Sequence, residues 1–317
     1  MKNNSKKPKY IIVLGTTYSG SGAIFDYLNG RNDLYNPLVD QEYPLPMLPN
    51  GLMTLEAISG KAFDPAITEH ALIQFKFIAN QLINYWSKTT KDNDLKKRIP
   101  FFKKAIGEFI KDISFGDFPM RLFWRALMET PEQYILDRLI KRIGFKKKDP
   151  NSRLIVSQKD LIIAAQTLHD NMFYSCSNNR PVLLDQGGSG WNPTESTKYF
   201  EDHKIILVTR DPRDQFAELK QYKKAGSVDG FMEWFGEMQK RLKLINDPNI
   251  LIIKFEEFVL DNDKSIKKLC EHVSISPNIK STYQPDLSKK NISKFSNLVL
   301  QNEIEKIERN FKEYTFN

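Results

Sequence analysis

The sequence predicts an α/β fold of three layers, a P-loop-type fold in which helices cover both faces of a central parallel sheet, with a helical insertion. Four short, continuously apolar runs are typical of strands that are buried on both faces. Helical periodicity follows the first and third runs, and alternating strands and helices favour a right-handed parallel sheet. The four runs cover residues 10–15, 181–185, 204–210 and 250–255.

Between the first and second runs the pattern is mainly helical. We expect one domain over residues 1–317, with a helical insertion at about 52–175. The segment "RLIVSQ" (153–158) is either a fifth strand or the lead-in to a helix. The chain ends in a segment with the alternating charges of a surface helix. Helical spacing inside the insertion is found in segments 53–63, 67–88, 101–113, 120–128 and 134–143.

Composition limits the class of protein. Hydrophobic residues make up 40% and charged residues 27%, and the net charge of +8 favours anionic partners. The basic residues are dispersed apart from short runs such as 96–98 and 146–148, and we expect no nucleic-acid partner. Two distant cysteines, Cys176 and Cys270, indicate a reducing compartment, so we expect a cytoplasmic protein. No run approaches about 18 apolar residues, so no membrane span is predicted, although peripheral attachment remains open.

A glycine-serine loop follows the first strand. The segment "GTTYSGSG" (15–22) is a tight turn whose backbone amides, with the N-terminus of the next helix, can form an anion site. A nucleoside triphosphatase loop would continue with Lys and Ser or Thr, but Ser21 and Gly22 stand there. The pattern argues against a magnesium-dependent triphosphate site, and no metal site is predicted.

Further polar stretches follow the later strands. The run 204–210 delivers Arg210 to the carboxyl end of the predicted sheet, where ligands bind. The segment "RDPRD" (210–214) is either a salt-bridged helix start or a phosphate clamp, and its coupling to the glycine loop favours the clamp. The strand 181–185 ends in a glycine-rich polar loop, and 285–295 is a polar-basic loop that could fold over a phosphate.

These stretches resemble, in order and spacing, the sulfotransferase superfamily. "GTTYSGSGAIFDYL" looks like the loop for the 5′-phosphosulfate of PAPS (3′-phosphoadenosine 5′-phosphosulfate), and "LVTRDPRDQFAEL" like the 3′-phosphate motif. "LLDQGGSGWNP" stands where many members carry an acidic-lysine-threonine-proline loop. "ILIIKFEEFV" and "LSKKNISKF" are similar to a family strand and to its cofactor-closing loop. "YNPLVDQEYPLPMLPNGLMTLEA" resembles bacterial capsule and lipopolysaccharide sulfotransferase-like proteins, in which a glutamate follows the first helix.

The resemblance implies a PAPS-dependent enzyme that moves a sulfuryl group to a hydroxyl, with PAP (3′-phosphoadenosine 5′-phosphate) as product and a saccharide as the expected acceptor. It implies Glu42 as the catalytic base, with Asp40 next, and Tyr18 as a hydrogen-bond donor where the family has Lys or Arg. Glu218 replaces a family serine, and Gln186 a family lysine. The implied cofactor-binding residues are Thr17, Ser19, Gly20, Ser21, Gly22, Ala23, Arg210, Arg213, Ser288, Lys289, Lys290 and Asn291.

Two other functions stay open at the level of sequence. The first is a non-catalytic protein that binds PAP, another nucleotide or a glycan and has lost turnover together with the loop lysine. The second is a P-loop kinase. The absent Lys and Ser/Thr pair argues against a kinase, and no strand end that would hold magnesium with a carboxylate is evident.

Overall fold

The computed structural model describes residues 7–61, 64–90, 102–118, 130–143, 152–155 and 157–316. The basic runs 96–98 and 146–148 and the predicted helix 120–128 lie outside these ranges. The three-layer parallel arrangement predicted from the sequence is confirmed. The central sheet has four parallel strands in the order β4-β1-β5-β6, namely β1 (Tyr10–Gly15), β4 (Val182–Asp185), β5 (His203–Thr209) and β6 (Ile250–Lys254).

Side chains of the sheet alternate between two cores. Along β1, Ile12 and Leu14 belong to one buried cluster, whereas Ile11 and Val13 belong to the other. This alternation is the two-residue period of a strand, and both faces are apolar because both are covered. Helices of the first layer are α1 (Ser21–Asn29), α10 (Phe255–Leu260) and α11 (Asn262–His272).

The opposite face carries the larger core and the segment 52–175. The helices there are α2 (Leu52–Lys61), α3 (Pro65–Thr89), α4 (Phe102–Ile113), α6 (Gln158–Met172), α8 (Pro212–Gln221), α9 (Val228–Leu242) and α14 (Gln301–Phe311). Further helices are α5 (Pro131–Arg142), α7 (Pro193–Thr197), α12 (Pro285–Lys289) and α13 (Phe295–Leu298). Within the described ranges, no helix is both long and apolar enough to span a membrane.

The insertion also contains a strand pair that the helical pattern did not predict. β2 (Ser114–Phe118) pairs antiparallel with β3 (Ser152–Ile155) in a sheet separate from the central one. The segment 153–158 is therefore both a short strand and the approach to α6, which begins at Gln158 after Ser157 accepts a hydrogen bond from Asp160 N. Pairing with β2 explains why this strand does not join the central sheet.

The order of the strands creates a crevice beside β1. The chain leaves β1 for β4 on one side and returns through β5 on the other, so the loops after β4 and β5 diverge around the loop after β1. Such a switch in strand order is where ligands bind in open parallel sheets. The glycine loop, residues Gly15–Gly22, therefore stands at the position where a site is expected.

Candidate functional site

The glycine loop depends on one left-handed residue. Gly20 has φ of 80°, and a Cβ built on it would lie 2.4 Å from the ring of Phe255. Both facts favour glycine, since only glycine adopts this conformation without strain and without a clashing side chain. Gly20 thus lets the loop rest against Phe255, the first residue of α10, as α1 begins.

The loop presents backbone donors to its open side. α1 begins at Ser21, and no side chain caps its N-terminus. The first amides of a helix have no partner within the helix, and together with the helix dipole they attract an anion. Gly22 is exposed, and a Cβ built there would meet nothing within 4 Å. Thr17 is exposed as well, whereas Ser19 and Ala23 are buried.

Side chains from α8 and β5 bind the loop carbonyls from behind. Gln215 Nε2 donates to Thr16 O at 3.3 Å and also to Thr17 O. Arg210 Nη1 donates to Tyr18 O at 3.0 Å. The peptide oxygens of three successive loop residues are thereby directed away from the open side.

The loop after β4 contacts the glycine loop through Gln186. Its Oε1 accepts from Gly15 N at 3.2 Å, and its Nε2 donates to Ser21 Oγ at 3.0 Å. Gln186 itself has φ of 50°, a left-handed conformation that costs energy for a residue with a side chain. A side chain at this position therefore spans the sheet edge and fixes the shape of the anion site.

Arg210 lies where the glycine loop, α8 and the C-terminal loop meet. Its side chain is 1% exposed, and it pairs with Glu218 at 3.1 Å. Its Nη2 donates to Asn291 O, and its Nε has no hydrogen-bond partner among the described residues although it is buried. The sequence therefore correctly placed Arg210 beside the glycine loop.

Glu218 is oriented toward Arg210 rather than away from it. One carboxylate oxygen pairs with Arg210 and the other with Lys294 Nζ at 3.2 Å. At this position the superfamily resemblance implied a phosphate-binding serine. The carboxylate therefore pairs with Nη1 of the arginine that the resemblance assigns to a 3′-phosphate.

The C-terminal loop is fastened to the start of α8. Asp214 accepts hydrogen bonds from Ser293 N at 2.8 Å and from Phe295 N at 3.0 Å. This anchoring brings Asn291 against Arg210. The side chains of the two preceding residues, Lys289 and Lys290, are exposed. Ser288, also implied by the resemblance, is half-buried in the same segment. The C-terminal loop contacts Arg210 through Asn291 O.

Arg213 has a different environment from Arg210. It pairs with Asp211 at 2.6 Å and with Glu308 of α14, donates to Phe316 O, and stacks over the ring of Phe295. These contacts tie the C-terminal segment to α8. Because its donors already serve this cluster, we do not carry Arg213 into the proposed cofactor site.

On the β4 side of the loop the charges are carboxylates. Asp185 ends β4, and its Oδ1 is buried without a hydrogen-bond partner. Burial, with the nearby Glu42 and Asp26 carboxylates, raises the pKa of Asp185 to about 7. Partial burial also raises the pKa of Glu42 and of Asp26. The sequence analysis did not single out Asp185, although an acidic residue at the end of an apolar run was a usable signal.

Helix α3 holds Glu42 near Asp185. Trp86 Nε1 donates to Glu42 O at 3.1 Å, and Tyr43 N donates to Asp185 O at 2.8 Å. Asp40, the second candidate base, is exposed and accepts from Thr90 Oγ1 at 3.0 Å. The predicted base segment therefore lies along the edge of the crevice, with its backbone fixed by the insertion.

Tyr18 has an arrangement that a lysine could not adopt. Its ring stacks on Tyr222 with centroids 5.2 Å apart, and its φ is 58°. Lys224 lies 5.5 Å from the centre of the Tyr18 ring. An ammonium group thus stays close to the loop position that lost its own lysine.

The strand beside the glycine loop ends in a carboxylate. β4 is the immediate neighbour of β1 and ends in Asp185. Gly22 nevertheless offers no hydroxyl at the loop position where a magnesium ligand would stand. Within the described ranges, no group of three or more His, Cys, Asp or Glu residues is arranged to hold a metal ion.

A parallel α/β sheet with an anion-binding loop at its switch in strand order defines a nucleotide-binding class of protein. The family profile described as "Sulfotransferase domain" matches residues 194–314, which include β5, Arg210 and the C-terminal loop. The profile match agrees with the resemblance that the motifs indicated, and it covers less than half of the length of the chain. No curated protein sequence matches it significantly.

Solved structures similar to this chain include sulfotransferases. The sulfotransferase domain of the Synechococcus PCC 7002 olefin synthase has 13% identity and a TM-score of 0.43, covering 100% of this chain and 99% of that one. The sulfotransferase domain of the curacin biosynthetic pathway has 12% identity and a TM-score of 0.43, covering 99% and 100%. The Alicyclobacillus acidocaldarius sulfotransferase has 13% identity and a TM-score of 0.36, covering 96% of each chain.

Proposed function

We propose that this protein transfers a sulfuryl group from PAPS to a hydroxyl of a saccharide acceptor. The observation that carries the proposal is the meeting of the glycine loop, Arg210 and the C-terminal loop, with Arg210 Nη1 donating to Tyr18 O at 3.0 Å. The two groups required to hold opposite ends of one nucleotide lie on the same face of the molecule. The match to the sulfotransferase domain supports the reaction class.

The site residues fit the 5′ end of PAPS well. The uncapped N-terminus of α1 and the exposed Gly22 offer amides to a phosphosulfate without a side chain in the way. At the other end, the buried Arg210 Nε has a donor to spare, but Glu218 must release the fork before a phosphate can use it fully. PAPS, when bound, would supply the sulfuryl group.

The chain would contribute charge stabilisation and proton transfer. Amides from Thr17 to Gly22, held in place by Gln186 and Gln215, would stabilise negative charge that develops on the leaving side. Glu42 would accept the proton of the acceptor hydroxyl, and its raised pKa makes it a stronger base than a carboxylate in water. On accepting that proton Glu42 would lose its negative charge, which would lower the pKa of the nearby Asp185, because the Glu42 carboxylate helps to raise that pKa.

Two tests separate the proposal from its alternatives. Calorimetry of the full chain with PAP, and with ATP and magnesium, should show binding of PAP. A sulfate-transfer assay from PAPS to a saccharide panel should show turnover. PAP binding without any transfer would support the non-catalytic alternative, and preference for ATP with magnesium would support the kinase. The kinase stays in the comparison because Asp185 adjoins the glycine strand.

The role of Glu42 is tested by Glu42→Gln, which keeps the shape of the side chain and removes its basicity. We expect transfer to fall by roughly 10²–10⁴-fold, the usual contribution of general base catalysis. The affinity for PAP should not change, since Glu42 lies on the β4 side of the loop. Retained turnover would transfer the role to Asp40 or Asp185, which the matching Asn variants would then distinguish.

We also propose that the protein acts in the cytoplasm. Cys176 and Cys270 are both free thiols, and free thiols suit a reducing compartment. Cys270 is buried and contacts Tyr27 Oη at 3.7 Å, so it serves the core rather than the site. Fractionation of cells that express the full chain would test this location.

A further inference from the structure

A cleft of about 520 Å³ lies between the segment 40–48 and helix α3. This volume is within the range of cavities that bind small molecules, roughly 300–1,000 Å³. It is lined by Glu42, the proposed base, at one edge. The function proposed above assigns no ligand to this cleft.

One wall of the cleft is an aromatic face of α3. Tyr85 is 61% exposed and lies on the same helical face as Gln81 and Thr89, four residues to either side. Its neighbour Trp86 is buried and fixes the opposite wall through Glu42 O. An exposed tyrosine ring offers a flat apolar surface with a polar tip, which suits the C–H face and hydroxyl edge of a sugar ring.

The other wall carries planar polar groups that are already oriented. Gln41 Oε1 accepts from Thr89 Oγ1 at 2.8 Å, and Gln41 Nε2 donates to Asp40 Oδ1 at 3.0 Å. Asp40 and Glu42 both line the cleft, and no Lys or Arg is found among the described residues that do so. The wall therefore accepts hydrogen bonds from hydroxyl and amide groups and repels anions.

The cleft is connected to the reaction centre through the backbone. Tyr43, next to Glu42, donates from its N–H to Asp185 O, and the next residue, Gln186, contacts both Gly15 N and Ser21 Oγ. A ligand in the cleft that presents a hydroxyl to Glu42 would thus approach the crevice from the β4 side. The proposed nucleotide clamp at Arg210 lies on the β5 side.

We propose that this cleft is the acceptor subsite and that its ligand is a saccharide without acidic groups. The inference rests on the proposed sulfotransferase function and names its acceptor class. Asp40 and Glu42 disfavour uronate-rich or sulfated glycans near the reacting hydroxyl, because their carboxylates repel the negative charges of such glycans. Tyr85 is the residue that provides the stacking surface.

The experiment measures binding of two oligosaccharides of equal length by saturation-transfer NMR to the full chain loaded with PAP. One is a neutral oligomer of N-acetylhexosamine, and the other carries uronates at alternate positions. We expect the neutral oligomer to bind, and Tyr85→Ala to weaken its binding at least tenfold. Phe77→Ala is the matched control, since Phe77 is 55% exposed on the same helix and does not line the cleft.

A second variant tests the charge argument. Asp40→Asn keeps the shape of the wall and removes one negative charge, so it should improve binding of the uronate oligomer several-fold relative to binding of the neutral oligomer. Preference for the uronate oligomer in the unaltered protein, or equal losses in the Tyr85 and Phe77 variants, would overturn the inference. Binding of PAP without binding of either oligomer would also overturn it. Failure to bind PAP would instead count against the proposed function.

Discussion

The two sides of the glycine loop differ in how their charges are balanced. On the β5 side, Arg210 and Lys294 share the Glu218 carboxylate, and every one of these groups has an opposite charge within 3.2 Å. On the β4 side, the Glu42 carboxylate helps to raise the pKa of Asp185, and Asp185 Oδ1 has no hydrogen-bond partner among the described residues. The charges of the first side are thus paired with opposite charges, whereas those of the second side face like charges.

This difference distinguishes groups that hold the fold together from groups that are candidates for the reaction. A buried ion pair is weak evidence for function, because proteins also use such pairs to hold elements together. A buried carboxylate without a partner lowers stability, so it persists where it is needed for another purpose. The β4 side is therefore the better candidate for the reacting groups, and the β5 side for the binding of the nucleotide.

The largest effect is expected from Arg210→Ala. Removing the guanidinium leaves Glu218 and the carbonyls of Tyr18 and Asn291 without their buried donor, which should lower the free energy of unfolding by about 3 kcal/mol. PAP affinity should fall at least tenfold. Urea denaturation and calorimetry measure the two changes.

The control for Arg210→Ala is Arg241→Ala, whose partner Glu237 is about half exposed. An exposed pair should contribute well under about 1 kcal/mol, with no change in PAP affinity. An unchanged PAP affinity in the Arg210 variant would remove that residue from the proposed clamp.

The second effect is a change in stability with pH at Asp185. Its native pKa of about 7 lies above the ordinary value of 3.8, so the native state holds a proton that the unfolded chain has released between these two pH values. Stability should therefore fall as the pH rises from about 4 to about 7. Asp185→Asn should abolish this loss and stabilise the protein at pH 8 on the order of a few kcal/mol.

Thermal unfolding at pH 4.5 and pH 8 would measure the effect of Asp185→Asn as a difference between the two conditions. The exposed Glu305 provides the comparison through Glu305→Gln, which should shift the two melting temperatures equally. Identical pH dependence in the unaltered protein and the Asp185 variant would show that this carboxyl is not strained.

The smallest effect is expected from Glu218→Ser, which sharpens the comparison from the β5 side. Removing the carboxylate frees the Arg210 fork and restores the hydroxyl of the superfamily pattern. PAP affinity should rise about tenfold, which is 1.4 kcal/mol, while the affinity for AMP should stay nearly constant. Calorimetry with both nucleotides measures it, and an equal gain for AMP would show that Glu218 does not face the 3′-phosphate.

The sequence alone predicted the central sheet and the position of the glycine loop. Both depend on short-range signals, namely continuous apolar runs and glycines next to a strand end. The pairing of β2 with β3 was not predicted, because β2 follows a helical pattern and β3, whose segment was left open between a strand and the start of a helix, has only four residues. The family match to residues 194–314 agrees with the motif in which Arg210 was found.

The electrostatics of the site could not be predicted in the same way. That Glu218 points at Arg210 depends on the helical geometry of α8, and that Asp185 and Glu42 are neighbours depends on a contact between residues far apart in sequence. Both carboxylates were visible as letters, but their partners became known only when β4, α8 and the segment 40–48 were placed together.

Gln215 and Arg210 donate hydrogen bonds to the peptide oxygens of Thr16, Thr17 and Tyr18, and these bonds affect which ions the glycine loop can bind. Because these peptide oxygens are already hydrogen-bonded, the open side of the glycine loop presents N–H donors. The backbone of the loop alone therefore disfavours cations. The preference for anions over cations thus depends on Gln215 and Arg210, which lie almost two hundred positions further along the sequence. A graft of the loop alone onto another scaffold would therefore lose it.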